Sequence, residues 1–275
     1  MATTELLIEP GRAERNYWTD IWRYRELFYF LAWRDILVRY KQTVMGVAWS
    51  VVRPLLTMIV FTIIFSRIAK LPSAAAVPYD LLVLAGMLPW NFFSNSMSES
   101  SSSLTTNSSL ISKIYFPRLI IPAASVITSF VDFAITLVLM SLMMIFYRFA
   151  PDWHLLALPF FIALAFASSF GVGLWLSALN VEYRDFRYII PFVVQFGLYV
   201  SPVGFSSSVI PARWRLLYAL NPVVGIIDGF RWSLLRGQSA IWPPSLLLCV
   251  GTTIAICASG LWYFRKTERT FADVI

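Results

Sequence analysis

A chain of 275 residues with 58% hydrophobic and only 13% charged side chains cannot coat a soluble globule of its size. With a mean hydropathy of +0.69, its roughly 160 apolar residues, at about 20 per crossing, leave material for six or seven membrane helices, and no polar stretch comes near the ~50 residues of an independent extramembrane fold. The net charge of +7 is dispersed between apolar runs, so it reports membrane orientation and argues against nucleic acid as a partner.

Residues 1–20 mix Glu5, Glu9 and Glu14 with Arg12 and Arg15 and hold no apolar core, which predicts no cleavable signal peptide and a cytosolic N-terminus. Next, Phe30, Trp33, Leu37 and Tyr40 share one helical face while Asp35 and Arg39 lie opposite. That pattern predicts a helix lying flat in the membrane interface, as a plain anchor or as a docking surface for a cytosolic partner. Apolar runs of spanning length follow at 44–68, 79–97, 122–147, 155–179, 188–205 and 241–264. With the N-terminus inside, fourteen Lys and Arg residues fall on the cytosolic side and seven on the other, so both termini are expected in the cytosol.

The segment 206–237 is the exception. Its two apolar patches are split by Asn221-Pro222, and each is far too short to cross. A single crossing would submerge Arg213, Arg215, Asp228 and Arg231 at roughly 2.5 to 3.5 kcal/mol for each charge near mid-bilayer. Two short helices dipping back from the outer surface avoid that cost, provided their backbone is buried against protein or water. The predicted fold class is therefore all-α: six transmembrane helices, an N-terminal amphipathic interface helix and a re-entrant helical pair before the last span. It forms one domain over 1–275, with a cytosolic tail and interface helix at 1–43, the membrane domain at 44–264 and a cytosolic tail at 265–275.

Several separated motifs point further: Trp33-Arg34-Asp35, then Arg39-Tyr40-Lys41 leading to Gly46, Trp49 and Pro54; Leu88-Pro89-Trp90; and LISKIYFPRLIIP over 110–122. Asn180, Arg184-Asp185, Ser201-Pro202, Asn221-Pro222 and Arg231 complete the set. In this order and spacing the sequence resembles the membrane subunits of ABC-2 type polysaccharide exporters, the O-antigen and capsule permeases and the related teichoic acid permeases. The resemblance implies a half-transporter in the bacterial inner membrane that pairs with a second copy of itself and with two copies of a cytosolic ATPase subunit. Its cargo would be an undecaprenyl-pyrophosphate-linked polysaccharide. The lysines, Lys41, Lys70, Lys113 and Lys266, do not close a phosphate-cradling Gly-rich loop, so no cofactor is expected on this chain; ATP and Mg²⁺ would sit on the partner.

The link between the second and third runs resembles the family's coupling helix, expected over 108–117 and carrying Ser112, Lys113, Tyr115 and Pro117. Arg34, Asp35 and Arg39, with Arg184 and Asp185, would complete an ATPase-docking surface; Arg184 and Asp185 read equally well as a local pair. A glycan conduit needs aromatic rings for flat C–H faces and few strong polar contacts that would stall movement, and the candidates are Trp49, Phe61, Trp90, Phe92, Phe93, Phe196 and Tyr199. Arg53 and Asp132 are the deepest charges: they either pair with each other, or Arg53 attracts the lipid pyrophosphate. Asn221, Pro222, Asp228 and Arg231 mark the segment that forms an outer gate in the family, and Asp228 and Arg231, three apart, are placed to pair.

The serines between 94 and 109 read as close helix packing at a solvated helix end, or as glycan hydrogen bonding. Cys249 and Cys257 read as buried filler, and His154, beside Asp152 and Trp153, as a surface residue; no metal site and no catalytic residue are expected. Two readings from other classes fit less well. A membrane-embedded glycosyl or phosphoryl transferase needs clustered carboxylates, and the closest pair beyond the N-terminal tail is Glu182 and Asp185. An ion-coupled transporter would carry an inverted repeat, which the sequence does not display.

Overall fold

The computed structural model describes residues 17–41, 46–70, 77–238 and 241–271, and every element among them is helical. Of the stretch 1–20, expected to carry no cleavable signal peptide, residues 1–16 lie outside the described residues. Four stretches are long and apolar enough to cross a membrane by length and composition: Ala48–Ile68, Ile120–Phe146, Trp153–Glu182 and Pro243–Thr270. They cover the first, third, fourth and sixth expected runs.

The second run forms a helix of 28 residues, α4 (Tyr79–Thr106), about 42 Å long at 1.5 Å per residue. It is less apolar than its neighbours because it hardly meets lipid. It is the spine of the bundle, covered by α3 (Gly46–Phe61), α6 (Ile120–Phe146), α7 (Leu158–Glu182) and α10 (Pro222–Leu234), and 19 of its residues are buried. A helix surrounded by protein can carry Asn91, Asn95 and a run of serines where a lipid-facing one cannot. Those serines turn inward: Ser96, Ser100, Ser101 and Ser103 are buried, and Ser101 and Ser103 donate back to carbonyls three residues earlier at 2.7 Å. The packing reading accounts for them.

Along α7, the last long helix α11 (Pro243–Thr267) approaches backbone to backbone. A Cβ at Gly260 would stand 2.3 Å from the Gly171 carbonyl oxygen, and one at Gly171 would stand 2.7 Å from the Cys257 Cα. Between lipid-embedded helices, dispersion at such close range replaces the hydrophobic drive that water supplies elsewhere.

The fifth run yields only α8 (Phe186–Val200), 15 residues, because Ser201-Pro202 ends the helix. Segment 206–237 folds into α9 (Ala212–Ala219) and α10, joined by a tight turn where the Asn221 side chain accepts the Val223 N–H at 3.1 Å and Pro222 opens the helix. That turn reaches Cys249, six residues into α11, whose thiol donates to the Pro222 carbonyl at 3.2 Å.

The first and last described helical segments meet at one end of the bundle, where the Tyr17 hydroxyl of α1 (Tyr17–Arg23) donates to Glu268 at 2.9 Å. Next to it, α2 (Arg25–Lys41) packs on α6 through Leu31 and Ala32, while Tyr29, Phe30, Trp33 and Val38 are exposed. Its exposed face is therefore apolar, the reverse of the order an amphipathic helix takes in water. The link expected as a helix over 108–117 is helical only in one turn, α5 (Ser108–Ile111). Pro117 excludes the α conformation at Phe116 and the chain turns out into an exposed knob at 112–115.

Candidate functional site

The inward face of α2 brings its charges to the bundle rather than to open solvent. Arg34 bonds Asp35 at 2.7 Å and donates to the Asn107 side chain at 2.9 Å. One turn on, Arg39 bridges two carboxylates, bonding Glu99 of α4 closely and holding Asp132 of α6 at 2.7 Å. The hydroxyls of Tyr40 and Ser50 donate to Asp132 at 2.5 and 3.0 Å, and Ser129 donates to Glu99 at 3.1 Å. Burial, then the bond to Asp132, pushes the Tyr40 phenol up to about 12, so it remains a donor. The expected Arg53–Asp132 pair is not formed. Arg39 reaches Asp132 from the end of α2, whereas Arg53 is exposed on α3 and makes no ion pair among the described residues. Glu99, which sequence reasoning missed, is the second acid of this node; its signal was a lone carboxylate in a run of serines at the membrane margin.

Beside the node opens a cleft of about 200 Å³ between α3, α4 and α6. Its wall includes Arg39, Arg53, Asp132, Asn91, Asn95 and Trp49. Two arginines face one carboxylate, and the Asn91 and Asn95 side-chain amides make no hydrogen bond among the described residues. Arg53 lies seven residues into α3, about 10 Å from its start. Arg39 is already matched by Glu99 and Asp132, so the cleft offers the Arg53 guanidinium and spare amide donors near the start of α3, a chemistry that suits phosphate oxygens.

The aromatic candidates divide. Trp49, Phe196 and Tyr199 are exposed and Phe93 is half-buried. Phe192, one turn before Phe196 and stacked on it at 6.0 Å, joins them, so α8 presents a ring ladder with only Ile190 buried. Phe61, Trp90 and Phe92 are instead buried within the bundle. Phe92 packs edge-on against Phe130 and Phe133 of α6, and the Trp90 ring fills the space that the missing side chain of Gly197 leaves. These three serve the core in this conformation.

On the knob, Ser112, Lys113, Ile114 and Tyr115 are exposed, while Ile111, Phe116, Pro117 and Leu119 are buried beneath them. Arg184 and Asp185 are exposed in the α7–α8 link and form no ion pair with each other. The link lies at the same end of the bundle, since the neighbouring Glu182 accepts from Tyr263 of α11 at 3.1 Å.

At the opposite end, Arg231 of α10 is fully buried, yet it does not meet Asp228 within ion-pair distance. Its guanidinium is spent on carbonyls, donating to Leu82 at 3.1 Å and to Phe205 and Val203 at 2.8 Å each. The Tyr79 hydroxyl adds a bond to Gly204 at 2.6 Å. The fork geometry of Arg, together with the two carbonyls freed where α8 has broken and the Leu82 carbonyl of α4 beside them, outcompetes the local i,i+3 pair expected from spacing. At the rim, His154 lies 2.7 Å from Asp152, stacks on Trp153 and meets Trp232 edge-on, a packed surface cluster.

The chain is 28% identical over 244 residues to the O-antigen export system permease protein RfbA of Klebsiella pneumoniae, covering 88% of this chain and 92% of that one. It is 26% identical over 259 residues to the protein of the same name from Myxococcus xanthus, covering 93% and 98%. The ABC-2 type transporter family matches residues 26–235, from the α2 charges through the knob, the cleft and the Arg231 clamp, and this chain belongs to that family.

Proposed function

We propose that the chain is the membrane permease subunit of an exporter that moves a lipid-linked O-antigen polysaccharide from the cytosol across the bacterial inner membrane, driven by ATP hydrolysed on a separate subunit. The observation that carries this reading is the similarity to O-antigen export permeases along nearly the full length of both chains. Capsular polysaccharide or teichoic acid export by the same mechanism is the variant reading. ATP and Mg²⁺ belong to the partner, since none of the lysines here closes a phosphate loop.

In this reading the terminus-bearing end is cytosolic, and six crossings are made by α3 with its π-helical extension Thr62–Ile68, by α4, α6, α7, α8 and by α11. Fifteen residues give α8 about 22 Å, and the turn residues that follow Val200 complete its passage through a ~30 Å core. α9 and α10 dip from the outer face as a gate, the buried Asn221-Pro222 turn at its tip and Arg231 as its clamp. Two copies of the chain meet with the aromatic faces of α3 and α8 lining the path between them. Two ATPase subunits press on the knob and on the exposed Arg184-Asp185 link. Arg53 receives the pyrophosphate of the undecaprenyl carrier in the cleft, while the rings behind it stack on sugar faces without holding them.

Expressed with its own ATPase in a host lacking an O-antigen permease, the chain is expected to restore surface O-antigen; polymer retained inside the cell would contradict the reading. Arg53→Gln is expected to lower that export about tenfold, and Arg53→Lys to keep a third or more, since a lysine still offers charge but not the fork. Undiminished export by Arg53→Gln would remove the cleft from the path.

A further inference from the structure

The knob at 112–115 stands on a junction that no motif marked. Glu268 opens the last described turn, Glu268–Thr270, directly after α11. One oxygen of its carboxylate accepts the backbone N–H of Arg118 at 2.7 Å, where the chain returns from the knob to α6. The other oxygen accepts the Tyr17 hydroxyl of α1 at 2.9 Å. The Arg118 guanidinium closes the loop by donating to the Glu268 carbonyl. Around these bonds, Arg265 lies 4.7 Å over the Tyr17 ring, and Phe271, fully buried, meets Phe264 edge-on at 5.4 Å. Burial beside the Glu268 carboxylate holds the Tyr17 phenol far above its ordinary range, so it remains a donor to Glu268.

A surface turn fixed only to its two flanking helices can hinge about them. Here one carboxylate ties the root of the turn to the N-terminal helix and to the last long helix as well. Charge-assisted bonds to a backbone N–H are among the strong, directional ones, and this one fixes main chain rather than a flexible side chain. We infer that Glu268 is a positioning residue, a yoke through which displacement of the knob is delivered to α1 and α11 together with α4 and α6. The inference rests on the proposed reading that an ATPase subunit presses on the knob. In energetic terms, a joint with two discrete packings transmits motion only if its parts move as one body, and the yoke makes them one.

The test uses the full chain assembled with its ATPase in proteoliposomes, measuring ATP hydrolysed and lipid-linked glycan exported in the same vesicles. Glu268→Ala is expected to keep assembly and hydrolysis while the glycan exported per ATP falls about tenfold, within the usual range of inter-site coupling. Glu268→Gln keeps an acceptor oxygen for the Arg118 N–H and is expected to restore more than half of the ratio. Tyr17→Phe removes one hydroxyl only and is expected to lower the ratio about twofold to threefold, so the idea remains testable if Glu268→Ala does not fold. An unchanged export-to-ATP ratio in Glu268→Ala, or in Tyr17→Phe if the alanine variant is lost, overturns the yoke. Failure of the unaltered chain to export with ATP overturns the proposed function instead.

Discussion

Arg231→Ala should abolish export and lower the thermal midpoint of the detergent-solubilised protein by more than that of any neighbouring substitution. The guanidinium is fully buried and holds three carbonyls: Leu82 within α4, and Val203 and Phe205, which lie past the end of α8 and have no helical partner to fall back on. Each orphaned buried acceptor costs about 1–3 kcal/mol, and the vacated volume adds to that, so a total above about 4 kcal/mol is expected. Arg231→Lys should be intermediate, because an ammonium can reach one or two of the carbonyls but not all three from one plane. Gly86→Ala should reproduce part of the loss: its Cβ would stand 2.7 Å from the Arg231 Nη2 and 2.9 Å from the Val203 carbonyl oxygen. Asp228→Asn discriminates between clamp and ion pair. With no ion-pair contact to Arg231, it should cost well under half of the Arg231→Ala loss; an equal loss would mean that the acid, not the carbonyls, holds the arginine in place.

Arg39→Ala is the second large effect expected. It strips the shared cation from Glu99 and Asp132 and leaves two carboxylates facing a site built around a positive charge. The node is about one-third open to solvent at Arg39 and Glu99, so the destabilisation should be about 2 kcal/mol rather than the larger figure for a sealed pair. Export should fall at least tenfold, because α2 is bound to α4 and α6 through this arginine. The triple replacement Arg39→Met, Glu99→Gln, Asp132→Asn removes all three charges and should recover most of the thermal stability. Export should remain low if the cleft needs its cations. Thermal denaturation and export measured on the same preparations separate the two contributions.

The lipid-facing helices were legible in the sequence because a bilayer demands length and apolarity at once, and few other environments do. That is why α6, α7 and α11 fall where their hydropathy put them. The role of α4 was not legible, since its serines and asparagines dilute the same signal, and only the surrounding helices explain why that is tolerated. Aromatic residues within a span read alike as core or conduit. Phe92 and Phe196 are both phenylalanines in apolar runs, yet one is enclosed by α6 and the other lies open on α8. Charge pairing failed for a related reason. Spacing along one helix suggested Asp228 with Arg231, and depth suggested Arg53 with Asp132, but backbone breaks and a helix lying across the bundle supplied better partners. Glu268 left no trace, because its partner at Arg118 is a backbone N–H, which any sequence provides, and its other partner, Tyr17, lies 251 residues away in sequence.

The most direct test of the account is reconstitution of the purified chain in proteoliposomes with and without its ATPase, following movement of a lipid-linked glycan across the bilayer. The account predicts movement only when the ATPase and hydrolysable ATP are both present. Movement at the same rate by this chain alone, or sustained by an ion gradient after ATP is removed, would contradict it.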